Sequence, residues 1–229
     1  MPVELLPTAA PPLDYYLLGR GPGGLLVEEF VTAPDHTVLA IDSAGWTGSD
    51  PGWWSTAEFC RRMRVDRELR AQVRPVSRAG AETAFRRLSG GPLPGEAELR
   101  AEFRDRHDLA VTAPLALGPA GPPAGYHSRR MYRLLFAGEL GPAAVAGLAA
   151  GWGLTATSDA RVLGVARRDL AGDRVSWELR RVGAAHAWAV DVTALLIGPA
   201  DSTIGPLLHG LRAEARFAGL VPALVERFA

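Results

Sequence analysis

Apolar and polar positions recur with two different periods along this chain, and each change of period marks an element. Residues 15–18, 25–31 and 37–41 are short apolar runs punctuated by glycines and Pro34. That pattern predicts three strands joined by tight turns. Residues 42–54 are polar and glycine-rich and read as a loop. Ser55-Thr56-Ala57-Glu58 has capping-box spacing, which predicts a helix from there to about Gln72. A strand at 73–76 comes next, then a helix opened by Ser77 and closed at Gly90-Gly91. A third helix is expected from Glu96 to His107, with Leu99 and Phe103 on one apolar stripe.

The clearest boundary is GPAGPPAG at 118–125. Proline lacks an amide donor and glycine is costly to order, so this stretch separates two segments. Beyond it the pattern predicts a strand at 132–137 and a helix begun by Pro142 and ending near Gly151. Strands are expected at 161–167, 175–182 and 186–193, then helical sequence at 203–228 interrupted by Gly219 and Pro222. The expected fold is α+β, mainly antiparallel sheets with helices packed on one face. It comprises two intimately packed lobes, 1–117 (with a Pro-rich arm at 1–13) and 126–229.

Composition narrows the chemistry. The chain has 229 residues, and its 25 basic residues balance 25 acidic ones. Every basic residue is arginine, and asparagine is also missing. Without lysine there is no Schiff base, no P-loop lysine and no kinase-type phosphate lysine. Without asparagine there is no Cys-His-Asn triad. Zero net charge argues against a general nucleic-acid partner. A single cysteine, Cys60, excludes an internal disulfide and a cysteine-rich zinc site. No basic leader and no long uncharged apolar run occur, so no membrane association and a cytoplasmic location are expected.

Several segments carry candidate chemistry. Gly19 to Gly24 matches G-x-G-x-x-G literally, but a strand-like run follows it, so it reads as a hairpin turn. Asp42 stands where a kinase strand would carry lysine, and no HRD or DFG motif exists. Trp46, Trp53 and Trp54 crowd into nine residues and offer flat apolar area for a ring, a sugar or a peptide, or else core packing. Cys60 sits early in a helix beside Arg61 and Arg62, which favour thiolate, yet it shares a face with Phe59 and Met63, which favours burial. The run Arg104 to Asp108 reads as a solvated helix end.

The most polar cluster runs from Tyr126 to Arg133. On a strand, Arg129 and Arg133 share one face and Arg130 takes the other, so paired guanidiniums can grip a carboxylate or phosphate. His127 and Tyr126 add an acid/base group and a donor. Further on, His186 and Asp191 lie on an apolar strand, where a carboxylate needs a partner. The five histidines show no metal spacing and no G-x-S-x-G elbow exists, so neither a metal nor an organic cofactor is expected.

These readings lead to one principal expectation and two alternatives. The principal one is a protein binding an anionic or amphipathic small molecule or peptide. Arg129, Arg130 and Tyr126 would hold the charged end, and Trp46, Trp53 and Trp54 would cover the apolar part. The first alternative is an acid/base enzyme for a cyclisation, elimination or isomerisation, with His127, His186 and Asp191 as the catalytic set. The second is an interaction module with a protein partner or a second copy, using the stripe Ile204, Leu208, Leu211 and Ala215.

Overall fold

The computed structural model describes residues 12–19, 23–111, 121–183 and 187–229. The predicted Pro-rich arm lies almost wholly outside these, as do the middle of the Gly19–Gly24 turn, the whole of 112–120 and His186.

Two antiparallel sheets and six helices make up a mixed α+β fold. The first sheet has the order β4-β3-β2-β1-β5. Its strands are β1 (Asp14–Leu18), β2 (Gly24–Thr32), β3 (Val38–Thr47), β4 (Asp50–Ser55) and β5 (Val73–Val76). A further strand, β6 (Asp105–Asp108), pairs with the outer half of β3. The second sheet has the order β11-β7-β10-β9-β8. It comprises β7 (Ser128–Ala137), β8 (Val162–Leu170), β9 (Asp173–Val182), β10 (Ala187–Leu196) and β11 (Val221–Arg227). The helices are α1 (Ala57–Val65), α2 (Arg67–Arg70), α3 (Arg78–Ser89), α4 (Glu96–Ala101), α5 (Pro142–Trp152) and α6 (Ile204–Phe217).

Local chemistry accounts for the helices that match expectation. The Ser77 hydroxyl accepts from the Gly80 amide and opens α3, and Gly90 closes it with φ 79°. Pro142 takes the first turn of α5. Helix α3 covers the Tyr15 face of the first sheet, where Leu25, Val27, Trp46 and Phe85 form one core cluster. On the opposite face Tyr16 and Leu26 pack with Cys60 and Met63 of α1 and with Val221 of β11. The main core joins both sheets, since Phe30, Val38 and Ile41 cluster with Tyr132, Leu134 and Phe136 of β7 and Leu208 and Leu211 of α6.

Four expectations are corrected. Residues 42–54 are no loop: β3 runs on to Thr47 and returns through β4, with Trp46 opposite Trp53. Aromatic cross-strand pairs support such a ribbon despite its glycines. Ser55 caps nothing, because its hydroxyl donates to Asp105 and the N-cap position belongs to Thr56. The helix it precedes breaks at Asp66, whose carboxylate accepts from the Glu68 and Leu69 amides and starts α2. Residues 104–108 are not a helix end. They form edge strand β6, whose Arg106 lies opposite Asp42 and grips it through two bonds of 2.7 Å. The last element is also a strand. Gly219 turns the chain with φ 104°, and β11 then joins β7 with a register shift between Pro222 and Leu224. An edge position and a bulge are where a strand tolerates proline.

The two sheets meet at a seam of buried charge. Asp14 and Glu28 lie directly opposite each other on β1 and β2, both essentially inaccessible. Arg64 of α1 binds Glu28 through two bonds of 2.9 and 3.0 Å and donates to the Pro222 carbonyl of β11 at 2.8 Å. Arg212 and Arg216 of α6 both reach Asp14, at 3.4 and 3.3 Å. Arg216 also donates to the Tyr15 carbonyl at 2.9 Å. Helices from both halves of the chain are thus tied to the same two strands. Glu28→Gln leaves Arg64 buried without its counter-charge, and the expected loss is about 3–5 kcal/mol. Urea denaturation followed by circular dichroism measures it; a loss below about 1 kcal/mol would mean the pair is no stronger than a surface bridge.

Candidate functional site

A cleft of about 440 Å³ opens along this seam, between the first sheet and α6. Phe30, Thr32 and Val38 of β2 and β3 form one wall, and Pro206 and Leu208 of α6 with Val225 of β11 form the other. His36, His209 and Arg212 supply the polar corner. The volume lies in the range of small-molecule sites, as does the mostly apolar lining with a few polar groups.

Each polar group is placed by its local backbone. His36 sits in the tight β2–β3 turn, closed by the Ala33 amide donating to the Thr37 carbonyl at 2.8 Å. Its φ is 69°, in the left-handed region where histidine is uncommon. That conformation sends the ring across the seam, with Nε2 at 3.6 Å from the Asp201 carboxylate. The ring lies so close to Gly205 that a Cβ there would stand 3.1 Å from the imidazole Cε1 and would push the ring aside by a few tenths of an ångström.

Arg212 lies over the face of Phe30, 4.2 Å from its ring centroid. Its ion-pair partner among the described residues is Asp14, which it shares with Arg216. Two guanidiniums thus face one carboxylate, and this corner carries positive charge beyond balance. Burial, and then the Arg212 charge, hold the His209 pKa below the ordinary histidine value. Its Nδ1 lies 3.5 Å from an Arg212 nitrogen, a donor-only group. The neutral ring therefore accepts at Nδ1 and keeps its N–H on Nε2.

The residues singled out in the sequence are distributed elsewhere. Trp46 is buried against Phe85, with ring centroids 4.6 Å apart, and Trp53 stacks on the same ring at 6.1 Å. Trp54 packs edge-on against Phe59. Arg130 is bound to Asp201, Arg129 lies opposite Leu195, and Tyr126 lies beneath the Arg174 guanidinium. The arginine strand belongs to the second sheet and the tryptophan ribbon to the first, so each set is engaged within its own lobe.

His127 is exposed and lies just ahead of β7, whereas Asp191 faces Arg133, six residues further along that strand. At about 3.3 Å per residue they stand roughly 20 Å apart, and His186 lies outside the described residues. Asp191 is also gripped by Arg133 at 2.6 and 2.7 Å and approached by Arg180 at 3.3 Å. Cys60 is buried, and burial, then the Glu28 charge, push its thiol far above the ordinary value, so it is no thiolate. The stripe Ile204, Leu208, Leu211 and Ala215 is spent on the core.

Sequence reasoning named Leu208, as part of an interface stripe, but missed the polar residues that line the cleft, although one signal was present. Arg212 and Arg216 fall on the same helical stripe as Leu208, Leu211 and Ala215, and all five are buried. Guanidiniums on an apolar stripe require a buried partner. Among the described residues no group of three or more His, Cys, Asp or Glu is placed to hold a metal ion, and no helix is long and apolar enough to cross a membrane. Comparison with protein-family models, with curated proteins and with solved structures returned no match.

The depressed His209 pKa fixes the sign of a pH effect. The unfolded ring protonates near pH 6.5 and the folded ring only below that. The unfolded state therefore binds more protons in the window between the two values. His209's contribution is complete above the unfolded pKa and is lost as pH falls through that window. His107, also lowered by burial and then by Arg64, acts in the same sense. Tm measured by calorimetry from about pH 7.5 to pH 5 should fall in the wild type and fall less steeply in His209→Gln. Equal slopes would show that His209 is not the titrating group.

Proposed function

We propose that this chain binds an amphipathic anion in the seam cleft, its apolar body against Phe30, Val38, Leu208 and Val225 and its charged head at the Arg212 corner. The ligand class is the one expected from the sequence, and the residues assigned to it are different. The observation that carries the reading is the combination of an apolar cleft with Arg212 in its lining, a buried guanidinium that shares its carboxylate, Asp14, with Arg216 behind it. An anion entering that corner supplies the missing counter-charge in a region of low dielectric, where it counts most. His209 adds an Nε2–H donor beside it. The chemical class is a carboxylate, sulfonate or phosphate on an aliphatic or aromatic body that fits about 440 Å³.

Displacement of the fluorescent anion anilinonaphthalene sulfonate tests this. Octanoate should displace it and octanol should do so at least about tenfold less well. Thr32 stands exposed on the cleft rim, so Thr32→Trp should block the mouth, abolish dye and octanoate binding, and leave Tm within a few degrees. Equal displacement by acid and alcohol would remove the role of the Arg212 corner. Unchanged dye binding in Thr32→Trp would remove the cleft itself.

A further inference from the structure

Helix α6 has a second cavity on its other side, of about 430 Å³, bounded by α5 and by strands β8 and β9. Its walls are the indoles of Trp152 and Trp177 together with Leu170, Leu207 and Leu211, and Arg168 stands at its edge. Each aromatic is held differently. Trp152 donates its ring N–H to Glu214, which fixes the ring against α6. Trp177 is 2% exposed and its ring N–H has no hydrogen-bond partner among the described residues. A buried donor without an acceptor is costly and native proteins keep few of them.

Arg168 completes the arrangement. It is exposed, its guanidinium carbon stands 5.4 Å from the centroid of the Trp177 ring, and it makes no ion pair among the described residues. Of the two charged residues lining the cavity, Glu214 is engaged by Trp152 and Arg168 has no carboxylate. Guanidinium stacked on an indole is pre-set to receive a planar anion edge-on.

We propose that this cavity is a separate binding site for a small aromatic or heteroaromatic carboxylate. The ring inserts between the two indoles and the aliphatic wall, and the carboxylate pairs with Arg168. A ring acceptor facing Trp177 would satisfy the unpaired N–H. This site is independent of the seam cleft, whose lining shares only Pro206 with this cavity.

Gly210 provides the test. It lines the cavity, and a Cβ built on it meets no atom within 4 Å. Gly210→Leu therefore fills the space with its side chain, while replacing a helical glycine with a better helix former. Naphthoate also belongs to the class proposed for the seam cleft, so titration calorimetry is run in the Thr32→Trp background, where that cleft is closed, alone and combined with Gly210→Leu or Arg168→Gln. Thr32→Trp should bind naphthoate; adding Gly210→Leu should abolish that binding with Tm unchanged or raised. Adding Arg168→Gln should weaken naphthoate at least about tenfold and leave neutral naphthalene methanol unchanged. A Thr32→Trp protein that binds no naphthoate overturns the proposal, as does normal binding once Gly210→Leu is added. Octanoate displacement reads the seam cleft separately, so failure of one site leaves the other standing.

Discussion

Two carboxylates buried side by side at the seam set the terms for the rest of the structure. Asp14 and Glu28 are direct neighbours across β1 and β2, an arrangement that repels unless cations are brought to it. The cations come from helices in the two halves of the chain, Arg64 from α1 and Arg212 and Arg216 from α6. Because both helices must reach the same two strands, the second sheet is drawn against the first, and the main core closes across them. A chain without lysine is suited to this. The planar guanidinium of Arg64 bonds both oxygens of Glu28 while still reaching the Pro222 and Cys60 carbonyls. A compact ammonium offers no such fork.

The same network explains where ligand-sized space remains. Helix α6 is pinned through Arg212 and Arg216, yet Pro206 and its neighbours face a cavity on each side. Small side chains keep those spaces open: Gly205 makes room for His36, and Gly210 leaves a gap beside the indoles. His36 holds a left-handed backbone conformation that costs on the order of 1–3 kcal/mol, and its ring reaches Asp201 in the other lobe. Strain of this kind persists where surrounding contacts over-determine it, and the seam provides them.

Charge on the open face of the second sheet has a different character. There Arg133 and Arg180 bracket Asp191, and Arg180 also reaches Glu178. Burial holds the Glu178 carboxyl above its ordinary value against the pull of Arg180. These groups satisfy one another across neighbouring strands. The seam differs because Arg212 and Arg216 there divide a single acid, Asp14, which is the reason for proposing an anion site there and not on the arginine-rich strand.

Local signals in the chain determined a good deal by themselves. Apolar alternation located most strands, and Ser77, Gly90 and Pro142 marked helix ends, because capping and turn chemistry act over a few residues. The α+β class followed from that order. Local pattern misled wherever a distant partner decided the outcome. Residues 104–108 became a strand because β3 offered an unpaired edge, and 221–227 did so because β7 did. Trp46 allowed either a ligand surface or, with more weight, a core position, and Phe85 packed against it decides for the core. The cleft itself was beyond sequence reasoning. Its walls come from residues 30–38 and 205–225, and only the pairing of buried opposite charges across the seam brings those segments together.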